Sequence, residues 1–558
     1  MADRPIGDDD YVADAERHNE WWSAPRTPPS DLTAVNDLPT RSDLHRLLER
    51  TNTLQADDVA TAHYGIFGQT GIGKTTLLQQ FIAALLPDDT IPFSPSRRDH
   101  AITGAIDPRQ ILYLPLEESL YHATPPTQAL DALINVIEYH HTRIAPRNQT
   151  RFVILDDIGA LNLSDSGKRD LVDALDDHTY LYTTGIVRDQ VTLPGQPFDE
   201  TIGPIAMLPM KFIDALKQSG YGTAGPGDLT PDLADTLEHH QSSEQDGLLH
   251  HAKKQALKED RDVAAAVESL EQFHDDVLSR EDRDVLADAA RDYLRTGGLL
   301  FRAKPADVRN DLVKSHFLLY LYKELARYEA IKQPENLHRL CAIIANSSDS
   351  ELNYNAISDA LGVDRRTVDT YFAALDDGLA VTESHDYSLQ RHRRTRPYLR
   401  NTRHVVSFSQ RDTHYGYESF TTDGAPNPDF EYTLARTAGF DHAMRFAHGI
   451  NADQTVEYAE LDPGTIDYIL RLPDRADQLI LPFALEYAPH GRDAESALEG
   501  FDPTTGKHLD QDGVPLEATY RAPYRFLITD RDVQGSLTED QNAFTLCRLP
   551  FWLYLLLA

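Results

Sequence analysis

The stretch Gly68-Gln69-Thr70-Gly71-Ile72-Gly73-Lys74-Thr75 constrains this chain more than any other. It is a complete G-x-x-x-x-G-K-[ST] loop, and such a loop works only between a strand and a helix. The apolar His63–Phe67 reads as that strand, and 76–86 reads as that helix, ended by Pro87. The glycines let successive backbone N–H groups curl around a phosphate, and the helix N-terminus adds the positive end of its dipole. Residues Gly68, Gln69, Thr70, Gly71, Ile72, Gly73, Lys74, Thr75 and Thr76 are therefore the expected phosphate cradle. Lys74 is expected to reach the β- and γ-phosphates of ATP, and Thr75 to offer its hydroxyl to Mg²⁺.

Hydrolysis needs an acidic element as well. Phe152-Val-Ile-Leu-Asp156-Asp157 is an apolar, buried type of strand ending in two carboxylates. Asp156 is expected to hold Mg²⁺ through its water shell, and Asp157 to orient the attacking water. Glutamate is more usual at the second place, and aspartate is one methylene shorter, so slow turnover is expected. Tyr180-Leu-Tyr-Thr183-Thr184-Gly185 brings Thr183 or Thr184 beside the γ-phosphate, with Thr184 the candidate polar sensor. Arg188, Arg295 and Arg302 are candidates for an arginine finger. Such a finger commonly comes from a neighbouring subunit, which makes a homo-oligomer an expected partner arrangement.

The pattern predicts five regions. Residues 1–40 are a polar lead-in without clear periodicity, and 41–217 alternate apolar strands with amphipathic helices, as in a parallel α/β sheet. The candidate strands are 64–67, 111–116, 151–155, 181–185 and 204–208. Residues 218–310 comprise a Gly-, Asp-, Gln- and His-rich mobile insert followed by a helical lid. Residues 311–404 hold a helix-turn-helix, with 355–361 and 365–375 as its helices, Gly362 as the turn, and a wing starting near Leu379. Residues 405–558 mix short strands and helices.

Ile111-Leu-Tyr-Leu-Pro-Leu-Glu117, 154–157, 183–185, Met207-Leu-Pro-Met-Lys-Phe-Ile-Asp214, Tyr293-Leu-Arg-Thr-Gly-Gly-Leu299, 361–371 and 549–554 follow one another in a distinctive order. In that order the chain, from about 60 to 558, resembles prokaryotic AAA-type ATPases of haloarchaeal type with a winged helix and a nuclease-like fold at the C-terminus. The resemblance implies an α/β P-loop NTPase core with an AAA-like parallel sheet, then a helical lid, a winged helix-turn-helix and an α+β restriction-endonuclease-like domain. It aligns Asp467 with a nuclease metal ligand, but sets Ala484 at the second ligand position and Glu486 at the lysine position. An alanine removes a ligand and a glutamate cannot supply the cation, so the nuclease chemistry is expected to be lost.

DNA is an expected partner through Arg365 and Arg366, which open the second helix of the helix-turn-helix, and through the basic run from Arg391 to Arg403. Asp364, Asp369, Asp376 and Asp377 on or beside that helix oppose it, and an interdomain role is the alternative. No apolar run approaches the ~20 residues that span a bilayer, and the first ten residues have no apolar core. The expected location is the cytoplasm, with no membrane partner. Cys341 and Cys547 have no metal or redox spacing.

The net charge of −36 comes with 62 Asp against 27 Glu, and 12 Lys against 41 Arg. That balance suits a cell with molar internal salt, where the Debye length is only ~3 Å and self-repulsion is screened. Between 0.15 and 3 M salt, DNA binding through about six phosphate contacts weakens by roughly seven decades. Thermal unfolding followed by circular dichroism should accordingly show a melting temperature that climbs steeply from dilute buffer to molar KCl; a salt-independent melt would contradict the halophile reading.

Overall fold

The computed structural model describes residues 7–23, 32, 35, 38, 40–87, 106–194, 198–217, 229–298, 315–326, 331–347, 353–387, 394–408, 421–422, 425–426, 428–450, 455–473, 477–488, 490–506 and 519–558. The chain divides into two compact units. One comprises residues 1–208, 316–334 and 377–379; the other comprises 209–315, 335–376 and 380–558.

The first unit is built on five parallel strands: β1 (Ala62–Phe67), β2 (Ile111–Pro115), β3 (Arg151–Asp156), β4 (Thr179–Gly185) and β5 (Glu200–Ala206). Their spatial order is β2-β3-β4-β1-β5. The first four strands are buried along their whole length, as a parallel sheet covered on both faces requires. One face packs Leu77, Leu78, Phe81 and Ile82 of the helix Lys74–Leu85; the other packs Leu133, Val136 and Ile137 of the helix Pro126–Tyr139. Because β4 lies between β1 and β3, the carboxyl ends of the loop-bearing strand and the acidic strand flank that of the threonine strand. With the Gly68–Thr75 loop on β1, this is an α/β P-loop NTPase fold. All five expected strands are present; the last is displaced from 204–208 to Glu200–Ala206.

Residues Asp8–His18 form a helix whose Tyr11 and Ala15 are buried in the core on the Leu133 face of the sheet. Asn19 then pairs with Tyr113 through both its amide donor and its carbonyl, at 2.8 and 2.7 Å, and Trp22 donates to the Ile111 carbonyl at 2.7 Å. The segment thereby satisfies the open edge of β2, which would otherwise present unpaired backbone groups.

In the second unit, the part of the expected insert that is described is helical, with Pro231–Ser242 and a π-helical run His251–Glu259. The helix-turn-helix is Tyr354–Leu361 and Arg365–Asp377. Between them Gly362 has φ 69°, a left-handed conformation in which glycine carries no Cβ penalty. The wing, Val381–Asp386 with Thr395–Leu399, is not a separate hairpin. It runs through Glu457–Glu460 into a nine-stranded sheet that includes Thr465–Pro473 and Asp477–Glu486, so the sheet crosses the expected boundary at 404/405 without a break. The closing strand Thr545–Pro550 and helix Phe551–Leu556 are buried. Among the described residues no helix is long and apolar enough to cross a membrane.

Burial holds several imidazoles neutral. It lowers His63 and His141 to about 4, and His140, His404 and His442 to about 3. The unfolded chain binds these protons near pH 6.5 and the folded chain does not, so the stabilisation is present above pH 6.5 and is lost as the pH falls towards 4 and then 3. His63 alone contributes about 3 kcal/mol at full extent. Urea unfolding in molar KCl should show stability falling from pH 7 to pH 5, a window above most carboxylate titration; a flat profile would contradict these neutral histidines.

Candidate functional site

The loop from Gly68 to Thr75 closes over the carboxyl ends of β1 and β4. A Cβ at Gly68 would stand 2.4 Å from the Met207 carbonyl oxygen, so only glycine fits there. Gly71 and Gly73 have φ of 79° and 102°, which a side chain would oppose. Gly73 leads directly into the helix at Lys74, leaving the first N–H groups of that helix without intrahelical partners.

Lys74 is buried, and its ammonium donates to the carbonyls of Gly68 at 2.9 Å and Gln69 at 3.2 Å. It satisfies itself on its own loop, and it has to exchange these partners to reach a phosphate. Asp156 ends β3 and is also buried. One of its oxygens accepts from the Thr184 hydroxyl at 2.5 Å, and the other from the Tyr113 hydroxyl at 3.3 Å. The same Thr184 oxygen accepts the backbone N–H of Asp157 at 2.8 Å. Thr184 thus ties β4 to the acidic pair. Thr183, on the opposite face of the strand, meets His63 at 3.0 Å inside the core.

Asp157 adopts φ 56°, which turns its side chain away from the line of the strand. Burial raises its carboxyl to about 7, Lys74 opposes that shift, and Asp156, Glu117 and Glu324 add to it. The last two acids carry no local signal in the sequence. Glu324 lies on the helical segment 315–326, where Tyr320–Leu325 is π-helical. Its carboxylate accepts from the hydroxyl of Thr70, in the middle of the phosphate loop. Next to it Lys323 pairs with Glu117, just beyond the end of β2. Burial raises the Glu324 carboxyl, while Thr70 and Lys74 pull it down.

Two further contacts fix the loop from outside. Arg41 is buried and donates to the carbonyls of Ile72 at 2.9 Å and Leu208 at 2.7 Å. Gln69 donates to the carbonyl of Leu379 at 2.6 Å, and Leu379 has φ 59°. Neither contact leaves a mark in local sequence, because each partner comes from a distant segment.

Arg188 is exposed, with its guanidinium 5.9 Å from the ring centre of Phe67. Arg295 belongs to the second unit, where it pairs with Glu431, and Arg302 lies outside the described residues. Arg391 and Arg393 of the basic run are likewise outside them. Arg396 is buried, pairs with Glu460 and stacks on Tyr458. Arg400 is bound to Asp441 at 2.7 Å, and Arg403 donates to the Arg295 carbonyl at 3.1 Å. These three arginines are therefore structural and offer no basic surface, which removes them from the expected DNA contact. Arg365 and Arg366 are exposed, as are Asp364, Asp369, Asp376 and Asp377.

Asp467 is buried against Arg436 at 2.9 Å and accepts the Leu485 N–H at 2.8 Å. Ala484 sits in an apolar cluster with Ile466, Ile469 and Leu498. Glu486 has its carboxyl raised by partial burial and by Asp530. The Asp467 carboxylate is thus committed to a guanidinium and a backbone N–H. Among the described residues no group of three or more His, Cys, Asp and Glu side chains has metal-binding geometry.

Residues 288–404 match a family described only as a domain of unknown function, DUF8612. No curated protein matches the chain. Among solved structures it is similar to the Orc1 protein of Aeropyrum pernix in complex with DNA, at 13% identity and TM-score 0.26, covering 67% of this chain and 93% of that one. It is also similar to a DNA polymerase III gamma subunit-related protein of Thermotoga maritima, at 13% identity and TM-score 0.22, covering 59% and 99%. A third, Cdc6p of Pyrobaculum aerophilum, is 12% identical with TM-score 0.20, covering 75% and 97%.

The carboxylate of Glu324 stands against the phosphate loop, where it would oppose the negative charge of a bound nucleotide. Replacing it by a neutral amide of the same length, in the variant Glu324→Gln, should tighten binding of a fluorescent ATP analogue roughly tenfold in molar KCl. Unchanged affinity would show that the acid withdraws at no cost.

Proposed function

We propose that the chain is an AAA-like, Mg²⁺-dependent ATPase whose nucleotide state is passed to a winged-helix and nuclease-like module. The observation that supports this most is the meeting of Lys74, Asp156 and Thr184 at the ends of three adjacent strands, with Asp157 tied to the same hydroxyl. The oxygen donors of Thr75 and Asp156 suit a hard divalent cation, and the surplus of carboxylates over the one buried ammonium favours one. Mg²⁺ held there would draw charge from the β- and γ-phosphate oxygens. On this reading Lys74 leaves the Gly68 and Gln69 carbonyls for the phosphates, Thr184 reports the γ-phosphate through Asp156, and Asp157 orients the attacking water.

The same reading gives a route outward. Residues 377–379 and the segment 316–334 belong to the first unit, and in sequence 377–379 begin at the last residue of the second helix of the helix-turn-helix. Tyr320 donates to the Gly378 carbonyl at 3.0 Å, and Gln69 holds Leu379. Displacing Glu324 from Thr70 would move both segments of that unit, and the exposed Arg365 and Arg366 could meet DNA or a protein partner. Assembly into a homo-oligomer would bring the arginine finger from a neighbouring subunit.

A second reading, a nucleotide-gated switch with little turnover, is favoured by the Glu324–Thr70 contact and by the short side chain of Asp157. An ATP-dependent nuclease or defence effector is disfavoured by the Asp467–Arg436 pair, Ala484 and Glu486. Phosphate release from ATP and Mg²⁺ in molar KCl separates them. Steady turnover that disappears in Lys74→Ala and falls about a hundredfold or more in Asp157→Asn is the expected result. Folded protein that binds ATP without turnover would leave the switch.

A further inference from the structure

The chain carries only 12 lysines and a net charge of −36, so any gathering of ammonium groups is unusual within it. Four of those lysines, Lys211, Lys253, Lys254 and Lys258, line a single cavity of about 220 Å³ in the second unit, together with His250. His250, Lys254 and Lys258 follow one another at intervals of four along the helical run that continues into His251–Glu259, with Lys253 beside them. Helical neighbours at that spacing share a face, and like charges there oppose the helix. Around Lys254 and Lys258 little of this charge is answered. Lys254 has Glu244 at 3.3 Å with both side chains largely exposed, and among the described residues Lys258 makes no ion pair. Lys211 donates to the backbone oxygen of Ala558 at 3.2 Å.

We propose that this cavity is an anion site for a phosphoryl group, distinct from the nucleotide-binding loop. Its size supports the class of ligand, because a water takes ~30 Å³ and the space therefore admits a phosphate with part of its carrier. The residue type supports it as well. Lysine meets phosphate as a compact point charge with three donors that can turn, whereas arginine, the commoner cation of this chain by far, brings a fixed planar fork. A cluster of lysines converging from two elements fits the several oxygens of one phosphoryl group. The phosphate belongs either to a free phosphorylated small molecule or to a nucleic-acid backbone.

The full chain carrying Lys74→Ala, which disables the nucleotide loop, is titrated with pyrophosphate and separately with a single-stranded oligonucleotide. Calorimetry is run at the lowest KCl concentration at which circular dichroism shows the fold intact. The same titrations are made after adding Lys254→Gln and Lys258→Gln. Weakening of at least about tenfold for pyrophosphate alone identifies a free phosphorylated ligand, and an equal weakening for the oligonucleotide identifies a phosphodiester backbone. Absence of binding by both probes, or binding that the two substitutions leave unchanged, overturns the site. If the substituted chain does not fold, acetylation of Lys254 and Lys258 in the Lys74→Ala chain provides the reading. Pyrophosphate must slow their modification relative to the other lysines, and equal rates overturn the proposal.

Discussion

One buried ammonium among four carboxylates governs the phosphate-loop end of the first unit. Lys74 sits with Asp156, Asp157, Glu117 and Glu324 close enough for each acid to act on Asp157. Unit charges a few ångströms apart interact by several kcal/mol at the effective dielectric of a protein surface, so the cluster cannot be indifferent to charge. The arrangement relieves itself by local means. Lys74 donates to two loop carbonyls, Asp156 accepts two hydroxyls, and Glu324 takes the hydroxyl of Thr70. Each of these partners is replaceable by a phosphate oxygen, a cation or water, which makes the site responsive to what enters it.

Rigidity around the cluster comes from elements that do not take part in it. The parallel strands are buried on both faces, and Arg41 clamps the loop at Ile72 to Leu208 beside β5. Two non-glycine residues next to the loop, Asp157 and Leu379, adopt the left-handed region. Such a conformation costs about 1–2 kcal/mol per residue and persists only where neighbouring contacts hold it. Asp157 is held by Thr184 and Leu379 by Gln69. Asp157 thus leans on a side chain of β4, and Leu379 on a side chain of the phosphate loop itself.

The phosphate loop, the five strands and the acidic pair are legible because each is written in consecutive residues: glycines at fixed spacing, apolar runs of strand length, carboxylates at a strand end. Glu324 and Arg41 are not, since a glutamate on a helix and an arginine before one are ordinary until the chain folds back on the loop. The basic run misleads for the same reason in reverse. Arg396, Arg400 and Arg403 read as a solvent-facing patch, yet Glu460, Asp441 and the Arg295 carbonyl, far away in sequence, draw them into the interior. The lead-in looks featureless because its apolar content is small, but Tyr11, Ala15 and Trp21 are enough to seat it, and Asn19 substitutes for a strand neighbour of Tyr113.

The same distinction explains the large sheet of the second unit. Asp467 lies in the middle of that sheet, with Arg436 2.9 Å away and both side chains buried. A buried pair of this kind adds little net stability, although removing one partner leaves an uncompensated charge at a cost of about 3–5 kcal/mol. Once Arg436 is in place, then, Asp467 must stay whether or not any chemistry remains. The aspartate thereby balances charge inside the sheet. The wing strands extend that sheet by backbone pairing through Glu457–Glu460, and Arg396 and Arg471 cover its aromatic rings. The strands Val381–Asp386 and Thr395–Leu399 thereby share one sheet with Thr465–Pro473 and Asp477–Glu486.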